Sequence, residues 1–367
     1  MKSLKASLTI LTAASLFAGC GKSADSFSLL SDGSTFKQNA TFSPRKVDVL
    51  WVIDNSGSMA SSQAKLASNF ASFINNFKTT DSDFHMAVTT TDAYLSPYSK
   101  RNSSGVTTFP YTNFSKIRDG VTDGVLNAHS GVFVMNKTTP NLTNVFTTNI
   151  TQGTKGSGDE RALQSMEYTL RDPWNSAFRR PGAYLAIILV SDEDDYSHND
   201  LASIEDTYYN TADYTDVNLF SPQYYVDYLT NFTSVGGTGK NFSISAIDIF
   251  EQSCLDQIGG NGQRLNRRYT EIVNATGGQE ISLCSDFSQS LTVLSQSILD
   301  LSSSFSLNRI PIESTIAVSV NGATVVPGAL NGWTYDAGSN SVIFHGNAIP
   351  AAGAAVVINF DPSGVKN

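Results

Sequence analysis

The segment Val47-Asp48-Val49-Leu50-Trp51-Val52-Ile53-Asp54-Asn55-Ser56-Gly57-Ser58 decides the fold. Its first seven positions form a near-continuous apolar run, the pattern of a central strand in a parallel sheet covered on both faces. A second run, Ala183 to Val190, ends in Ser191-Asp192 in the same way. Phe242 to Ile249 alternates more and is expected nearer an edge. Phe84–Thr89 and Gln279–Leu283 are weaker strand candidates. Between these runs lie helical patterns. Met59–Phe77 sets Leu66, Phe70, Phe73 and Phe77 on one face, and Arg161–Leu170 does so with Leu163, Met166 and Leu170. Tyr224–Leu229, Arg264–Asn274 and Asp286–Leu301 complete the set, the last anchored by Phe287, Leu291, Leu294, Ile298 and Leu301. Strands alternating with helices predict a doubly wound, mostly parallel, Rossmann-like α/β domain over 44–305. Segments 92–130 and 196–240, rich in Tyr, Thr, Asn, Ser and Asp, are expected as insertions over one rim.

The texture changes near Ile310. Ile316-Ala317-Val318-Ser319-Val320 alternates and runs into Asn321-Gly322, a strong hairpin signal. Gly332–Tyr335, Ser341–Phe344 and Ala355–Ile358 follow as short strands between Gly, Pro and Asn turns. Residues 308–367 are therefore expected to form a small C-terminal all-β module packed on the larger domain, because so small a unit seldom stands alone.

Composition narrows the function. Of 367 residues, 40% are hydrophobic and only 16% charged, with a net charge of -9. There is no basic stripe to neutralise phosphates, which argues against a nucleic-acid partner. Four histidines and three cysteines leave little for a zinc cluster.

Residues 1–19 carry Lys2 and Lys5, an apolar stretch from Leu8 to Ala18 and small residues, the layout of an export signal. Leu16-Phe17-Ala18-Gly19-Cys20 resembles a bacterial lipobox, with Phe17 where leucine is commoner. The resemblance implies lipidation of Cys20. Gly21, in place of aspartate, implies sorting to the outer membrane of a Gram-negative envelope. Cleavage would leave 22 basic against 33 acidic side chains, a net charge of -11. The region to residue 43 is expected to be a flexible tether. Cys254 and Cys284 then remain as an even pair in an oxidising compartment, expected as a disulfide; two reduced buried thiols are the alternative.

The candidate site is Asp54-Asn55-Ser56-Gly57-Ser58. A D-x-S-x-S string arises by chance about 0.4 times in a serine-rich chain of this length, so its place gives it weight. Asp54 follows one apolar strand and Asp192 another, and ligands of such sheets bind beyond the carboxyl ends of the strands. Gly156-Ser157-Gly158 brings a third hydroxyl just before the helix that starts near Ala162.

With these residues the chain resembles the von Willebrand factor type A (VWA) family over about 44–305, and the VWA lipoproteins of Gram-negative bacteria in particular. The resemblance implies a metal-ion-dependent adhesion site formed by Asp54, Ser56, Ser58, Ser157 and Asp192, with serine at 157 where threonine is usual. It implies Mg²⁺, with Ca²⁺ or Mn²⁺ as alternatives, and a protein or glycan partner whose carboxylate completes the shell. Asp159, Glu160, Glu193, Asp194 and Asp195 are candidates for an acidic rim to this site, or for a solvated loop.

Competing chemistries are weaker. Ser62-Gln63-Ala64-Lys65 matches S-x-x-K but lies in a helical pattern without S-D-N or K-T-G. Gly239-Lys240 lacks the rest of a phosphate loop. His85, His129, His198 and His345 lie outside any G-x-S-x-G setting. Tyr208, Tyr209, Tyr214, Tyr224 and Tyr225 form a recognition surface or pack an insertion. The expectation is a lipid-anchored, non-enzymatic binding or adhesion protein, or else an envelope scaffold in which the metal is only structural.

Overall fold

The computed structural model describes residues 36–41, 46–79, 82–95, 130–154, 156, 158–172, 175–198, 214, 217–234, 241–259, 263–338, 340–351 and 353–364. The expected export signal, Cys20, Ser157, His129, Tyr208 and Tyr209 lie outside the described residues, as do most of 92–130 and much of 196–240.

The centre of the molecule is a mixed α/β unit around a six-stranded sheet. Its strands are β2 (Val47–Ile53), β3 (Phe84–Thr90), β4 (Met135–Asn136), β5 (Tyr184–Val190), β6 (Phe242–Asp248) and β7 (Glu280–Ser282), ordered β4-β3-β2-β5-β6-β7. All neighbours are parallel except the short β4, which runs antiparallel to β3. Every residue of β2, β5 and β6 is buried, which is why their sequences read as apolar runs. The stronger alternation of β6 reflects Ser243 and Ser245 in the core rather than an exposed face.

Helices cover both faces. On one lie α1 (Ala60–Thr79), α2 (Leu142–Ile150) and α7 (Phe287–Ser302). Val47, Val49, Trp51 and Ile53 of β2 point to this side, where the Trp51 ring meets Phe73 at 4.8 Å, Phe70 at 5.0 Å and Phe146 at 5.7 Å. These edge-to-face contacts add to the apolar burial of the rings. On the other face, Leu50 and Val52 meet α3 (Ala162–Arg171), α4 (Pro222–Thr233) and α6 (Arg268–Thr276) through Leu163, Met166, Tyr225, Leu229, Tyr269 and Ile272. The second expected insertion therefore contains a core helix: Ser221 caps α4 by accepting from Tyr224 N, and Pro222 opens its first turn. Helix α5 (Gln252–Ile258) carries Cys254, which is disulfide-bonded to Cys284 just after β7, with Cα atoms 5.5 Å apart.

The C-terminal module is a pair of small sheets, and it extends beyond its expected limits. Strands β8 (Ser304–Ser306), β11 (Gly332–Asp336) and β12 (Ser341–His345) form one sheet, ordered β11-β12-β8. Strands β1 (Phe36–Thr41), β9 (Ala317–Val320), β10 (Ala323–Val325) and β13 (Ala355–Phe360) form the other, ordered β1-β13-β9-β10. Val318, Trp333, Val342, Phe344, Val356, Ile358 and Phe360 pack a separate apolar core. The β9–β10 hairpin turns on Asn321 (φ 50°) and Gly322 (φ 82°), both left-handed as the Asn-Gly pair predicts. The expectation of a tether to residue 43 is corrected here. Phe36–Thr41 is an edge strand, antiparallel to β13 from Phe36↔Phe360 to Thr41↔Ala355. Its sequence FKQNAT has almost no apolar alternation, so the pairing is made by backbone bonds, by the Phe36–Phe360 ring contact at 5.2 Å and by Gln38. The Gln38 amide spans to the other sheet, donating to Ser306 O and accepting from Asn308 N. The module is joined to α7 by His345 Nδ1 and Asp300 Oδ2, 2.8 Å apart.

Candidate metal centre

The strand order reverses between β2 and β5, since β3 flanks β2 on one side while β5, β6 and β7 continue on the other. A crevice forms beyond the carboxyl ends of strands at such a reversal. The ladder continues past the strand ends: Asp54 N donates to Val190 O (2.8 Å), Ser191 N to Ile247 O (3.1 Å) and Thr91 N to Ile53 O (3.2 Å). This extension sets Asp54 and Ser191 side by side and brings Asp192 to the same rim.

Asp54 is fully buried. Its Oδ1 accepts from Ser56 N at 2.7 Å and its Oδ2 from Ser191 Oγ at 2.7 Å. The Ser56 and Ser58 hydroxyls lie 2.9 Å apart, and Ser58 Oγ donates to Asp192 Oδ1 at 3.0 Å. Asp192 Oδ2 accepts from Gln263 Nε2 at 3.0 Å. Four of the five sequence-derived ligand residues are thus brought together, and the fifth, Ser157, lies outside the described residues. Gly57, Ser58 and Gln263 reach towards solvent at this point, whereas Asp54, Ser56 and Asp192 are at most 3% exposed.

The loops around the site are tied down by residues the sequence did not single out. Gln63, on α1, donates to Asp54 O (2.7 Å) and to Gly153 O (2.8 Å), clamping the Asp54 loop to the chain leading to residue 157. Gly156 N donates to Asn55 O at 2.6 Å, and a Cβ at Gly156 would collide with the Asn55 side chain, so only glycine permits this approach. Asn55 in turn donates to Asp92 Oδ2 at 3.2 Å. Ser191 was legible as the neighbour of Asp192; Gln63 and Gln263 carry no local signal, because their partners are distant in the chain.

Burial and mutual repulsion dominate the electrostatics. Burial, then the nearby Asp192 charge, pushes the Asp54 carboxyl up to about 7, against the hydrogen bonds from Ser191 and Ser56. Burial raises Asp192 too, opposed by Gln263 and Ser58. Glu160 is raised well above the usual carboxylate range by burial, then by the charges of Asp54 and Glu193.

The expected acidic rim is corrected. Asp195 accepts from Leu163 N at the start of α3 and from Ser197 N and Oγ, and pairs with Arg268 Nη2 at 3.2 Å. Asp194 accepts from Arg267 N and Arg268 N at the start of α6 (both 3.1 Å) and from Tyr214 Oη (2.5 Å). Both carboxylates are completely buried. They are spent on helix N-termini, where exposed N–H groups and the helix dipole favour negative charge. Asp159 pairs with Arg161 through its Oδ2. Glu193 is 3% exposed and Glu160 1%, so neither is a solvated loop residue.

Two carboxylates and two hydroxyls form a hard oxygen set. Separations of 2.9 and 3.0 Å are what neighbouring oxygens adopt around one ion with bonds of about 2.1–2.4 Å. Among the described residues no three His, Cys, Asp or Glu side chains converge as a conventional metal cluster. A cation here would depend on the serines. A cleft of about 370 Å³ lined by Lys78, Lys137, Thr139 and Asn141 lies at the opposite end of α1 from Ser58. Among the described residues no helix is long and apolar enough to cross a membrane.

No family model and no curated protein matches the chain. Solved structures give distant likenesses. Proximal thread matrix protein 1 from the mussel byssus is 11% identical, with a TM-score of 0.36 over 74% of this chain and 52% of that one. The pilus adhesin SpaC from Lactobacillus rhamnosus GG, in its open conformation, is 10% identical, with a TM-score of 0.39 over 89% and 40%. The human COPII-coat protein Sec24c is 9% identical, with a TM-score of 0.39 over 91% and 42%. The chain spans about half or less of each of these structures. No family is assigned on TM-scores below 0.4.

Proposed function

We propose that this chain is a lipid-anchored, divalent-cation-dependent binding protein of the outer membrane, whose VWA-like domain holds a protein or glycan partner. The carrying observation is the meeting of Ser56, Ser58 and Asp192 hydroxyl and carboxylate oxygens, 2.9 and 3.0 Å apart, beside the buried Asp54. The strand order β3-β2-β5-β6-β7 and the helices on both faces support a doubly wound, VWA-like reading. Asp54, Ser56, Ser58 and Asp192 would hold Mg²⁺, Ca²⁺ or Mn²⁺ directly or through water, with Ser157 as the expected fifth. The bound cation supplies an electrophilic position for a partner's oxygen. Gly57 and Ser58 form the open side of the site, and Gln63, Asn55 and Ser191 hold the ligand loops in place. No residue is assigned a catalytic role. Cys20 would carry the lipid.

The test is capture of a partner from an envelope fraction by the immobilised chain, in Mg²⁺ and in chelator, with Asp54→Ala beside wild type. Capture only by wild type in metal is expected. Capture that survives both chelation and Asp54→Ala overturns the reading. The near-complete burial of Asp54, Ser56 and Asp192 favours a second reading, an envelope scaffold whose cation only stabilises the loops. In that case chelation lowers the melting temperature and leaves partner capture intact.

A further inference from the structure

Four of the eight exposed large apolar side chains among the described residues belong to the C-terminal module. They are Ile310, Ile312, Val326 and Leu330, exposed by 65, 46, 65 and 85%. The register of the four-stranded sheet gathers them at one end. Lys37 pairs with Asn359, Asn359 with Ala317, and Val318 with Val325, so Val326 continues the row that holds Lys37. Three strand spacings, about 14 Å, separate the two. At the same end Ile312 N donates to Asp361 O, just past β13, and Ser363 N donates to Ile310 O. Leu330 follows in the loop 327–331, which leaves from Val326. Exposed apolar side chains gathered in one place mark an interaction site, whereas single ones need no explanation.

The chain itself points to the occupant. β1 enters the sheet at this end with Phe36, which pairs with Phe360. Phe36 is sixteen positions from Cys20, at most about 58 Å of chain. The charge balance fits an uncharged apolar phase. Residues 314–335 include no charged side chain, and at this end Lys37 and Arg309 are matched in number by Glu313 and Asp361.

We propose that this end of the module lies on the lipid bilayer that holds the acyl group of Cys20, with Ile310, Ile312, Val326 and Leu330 entering its interfacial region. The proposal rests on the lipid-anchor reading of Cys20 above. With the acyl group inserted, contact by the module is intramolecular, at an effective concentration set by the connecting chain. A few apolar side chains then suffice to hold it. The contact depends on apolar burial rather than on anionic headgroups.

The full chain is produced in a Gram-negative host, and mass spectrometry reads acylation of Cys20. The protein is reconstituted into phosphatidylcholine vesicles, with or without phosphatidylglycerol. An environment-sensitive fluorophore is attached through Ile310→Cys or Leu330→Cys and, as control, through Val217→Cys, a position 93% exposed on the α/β unit. Lipids with a nitroxide near the headgroup serve as quencher. Labels at Ile310 and Leu330 are expected to shift to the blue and lose intensity to the nitroxide, equally in both vesicles. The label at Val217 is expected to do neither. Quenching at Ile310 and Leu330 no greater than at Val217, in acylated protein that floats with the vesicles, overturns the proposal and leaves the anchor standing. Quenching that requires phosphatidylglycerol marks a contact made by charge and overturns it as well. A blue shift without quenching that grows with protein density marks a second copy on this face, which also overturns it. A chain that is not acylated and does not float with vesicles overturns the proposal and the anchor together.

Discussion

Ser58 Oγ donates to Asp192 Oδ1 at 3.0 Å, joining residues 134 positions apart and closing the crevice between β2 and β5. The bond links the D-x-S-x-S loop to the acidic end of the neighbouring strand. Ser58→Ala removes the hydroxyl proposed as a ligand and takes away one of the side-chain hydrogen bonds to Asp192, leaving that from Gln263. Loss of about 10- to 100-fold in cation affinity is expected, the range usual for groups that orient metal ligands. Calorimetric titration checks it, and an unchanged affinity places Ser58 outside the shell.

The pH dependence follows from Asp54. Its folded-state value of about 7 lies above the unfolded value of 3.8. The folded protein therefore binds the extra proton, and this contribution to metal-free stability is full below about 3.8 and lost as pH rises through about 7. Cation binding needs the carboxylate, so affinity is expected to climb with pH and level off above about 7, with protons released on binding. Titrations at pH 5.5, 7 and 8.5 (values chosen to bracket about 7) in buffers of different ionisation enthalpy measure both effects. A flat profile shows that Asp54 does not exchange a proton for the ion.

Asp195 anchors α3 and pairs with the buried Arg268. Asp195→Ala removes the ion-pair partner of that arginine and is expected to cost about 3–5 kcal/mol. Asp195→Asn, which keeps an acceptor for Leu163 N, is expected to fall between. Urea unfolding of both variants distinguishes this role from a rim position, where alanine would change stability little.

The Cys254–Cys284 bond closes a span of 30 residues. On the loop-entropy model its loss costs about 3–4 kcal/mol. Replacing both cysteines by serine is expected to lower the urea midpoint by the corresponding amount, as reduction of the wild-type protein should. Equal midpoints with and without reductant would mean that the loop is constrained by other contacts.

The central strands were legible because burial on both faces leaves an unbroken apolar record, as in Val47–Ile53 and Tyr184–Val190. The long amphipathic helices were legible for a similar reason. Helix α2 was not: LTNVFTTNI is rich in Thr and Asn, which favour other backbone states, and its place is set by Leu142, Phe146 and Ile150 packing inward. β1 was missed because an edge strand held by backbone bonds needs no pattern of its own. At the site, Asp54, Ser56, Ser58 and Asp192 form a spaced motif at strand ends, whereas Gln63 and Gln263 act through contacts that no local pattern encodes. The run Glu193–Asp195 misled in the opposite direction. Consecutive acids resemble an exposed cluster, yet two of them are consumed by helix N-termini.

The pairing of β1 with β13 has a mechanical consequence. Tension entering the chain ahead of Phe36 and resisted at Ser58 runs along β1 and then along β2 from Val47 to Ile53. Both segments are already extended, with little length left to give. In β2 the pull runs through the covalent backbone of a strand held in line on both sides by its ladders to β3 and β5. The partner strand β13 holds β1 in place from beside this route. A grip at the distal rim and a fixed point before residue 36 would thus be connected through two strands that are already extended.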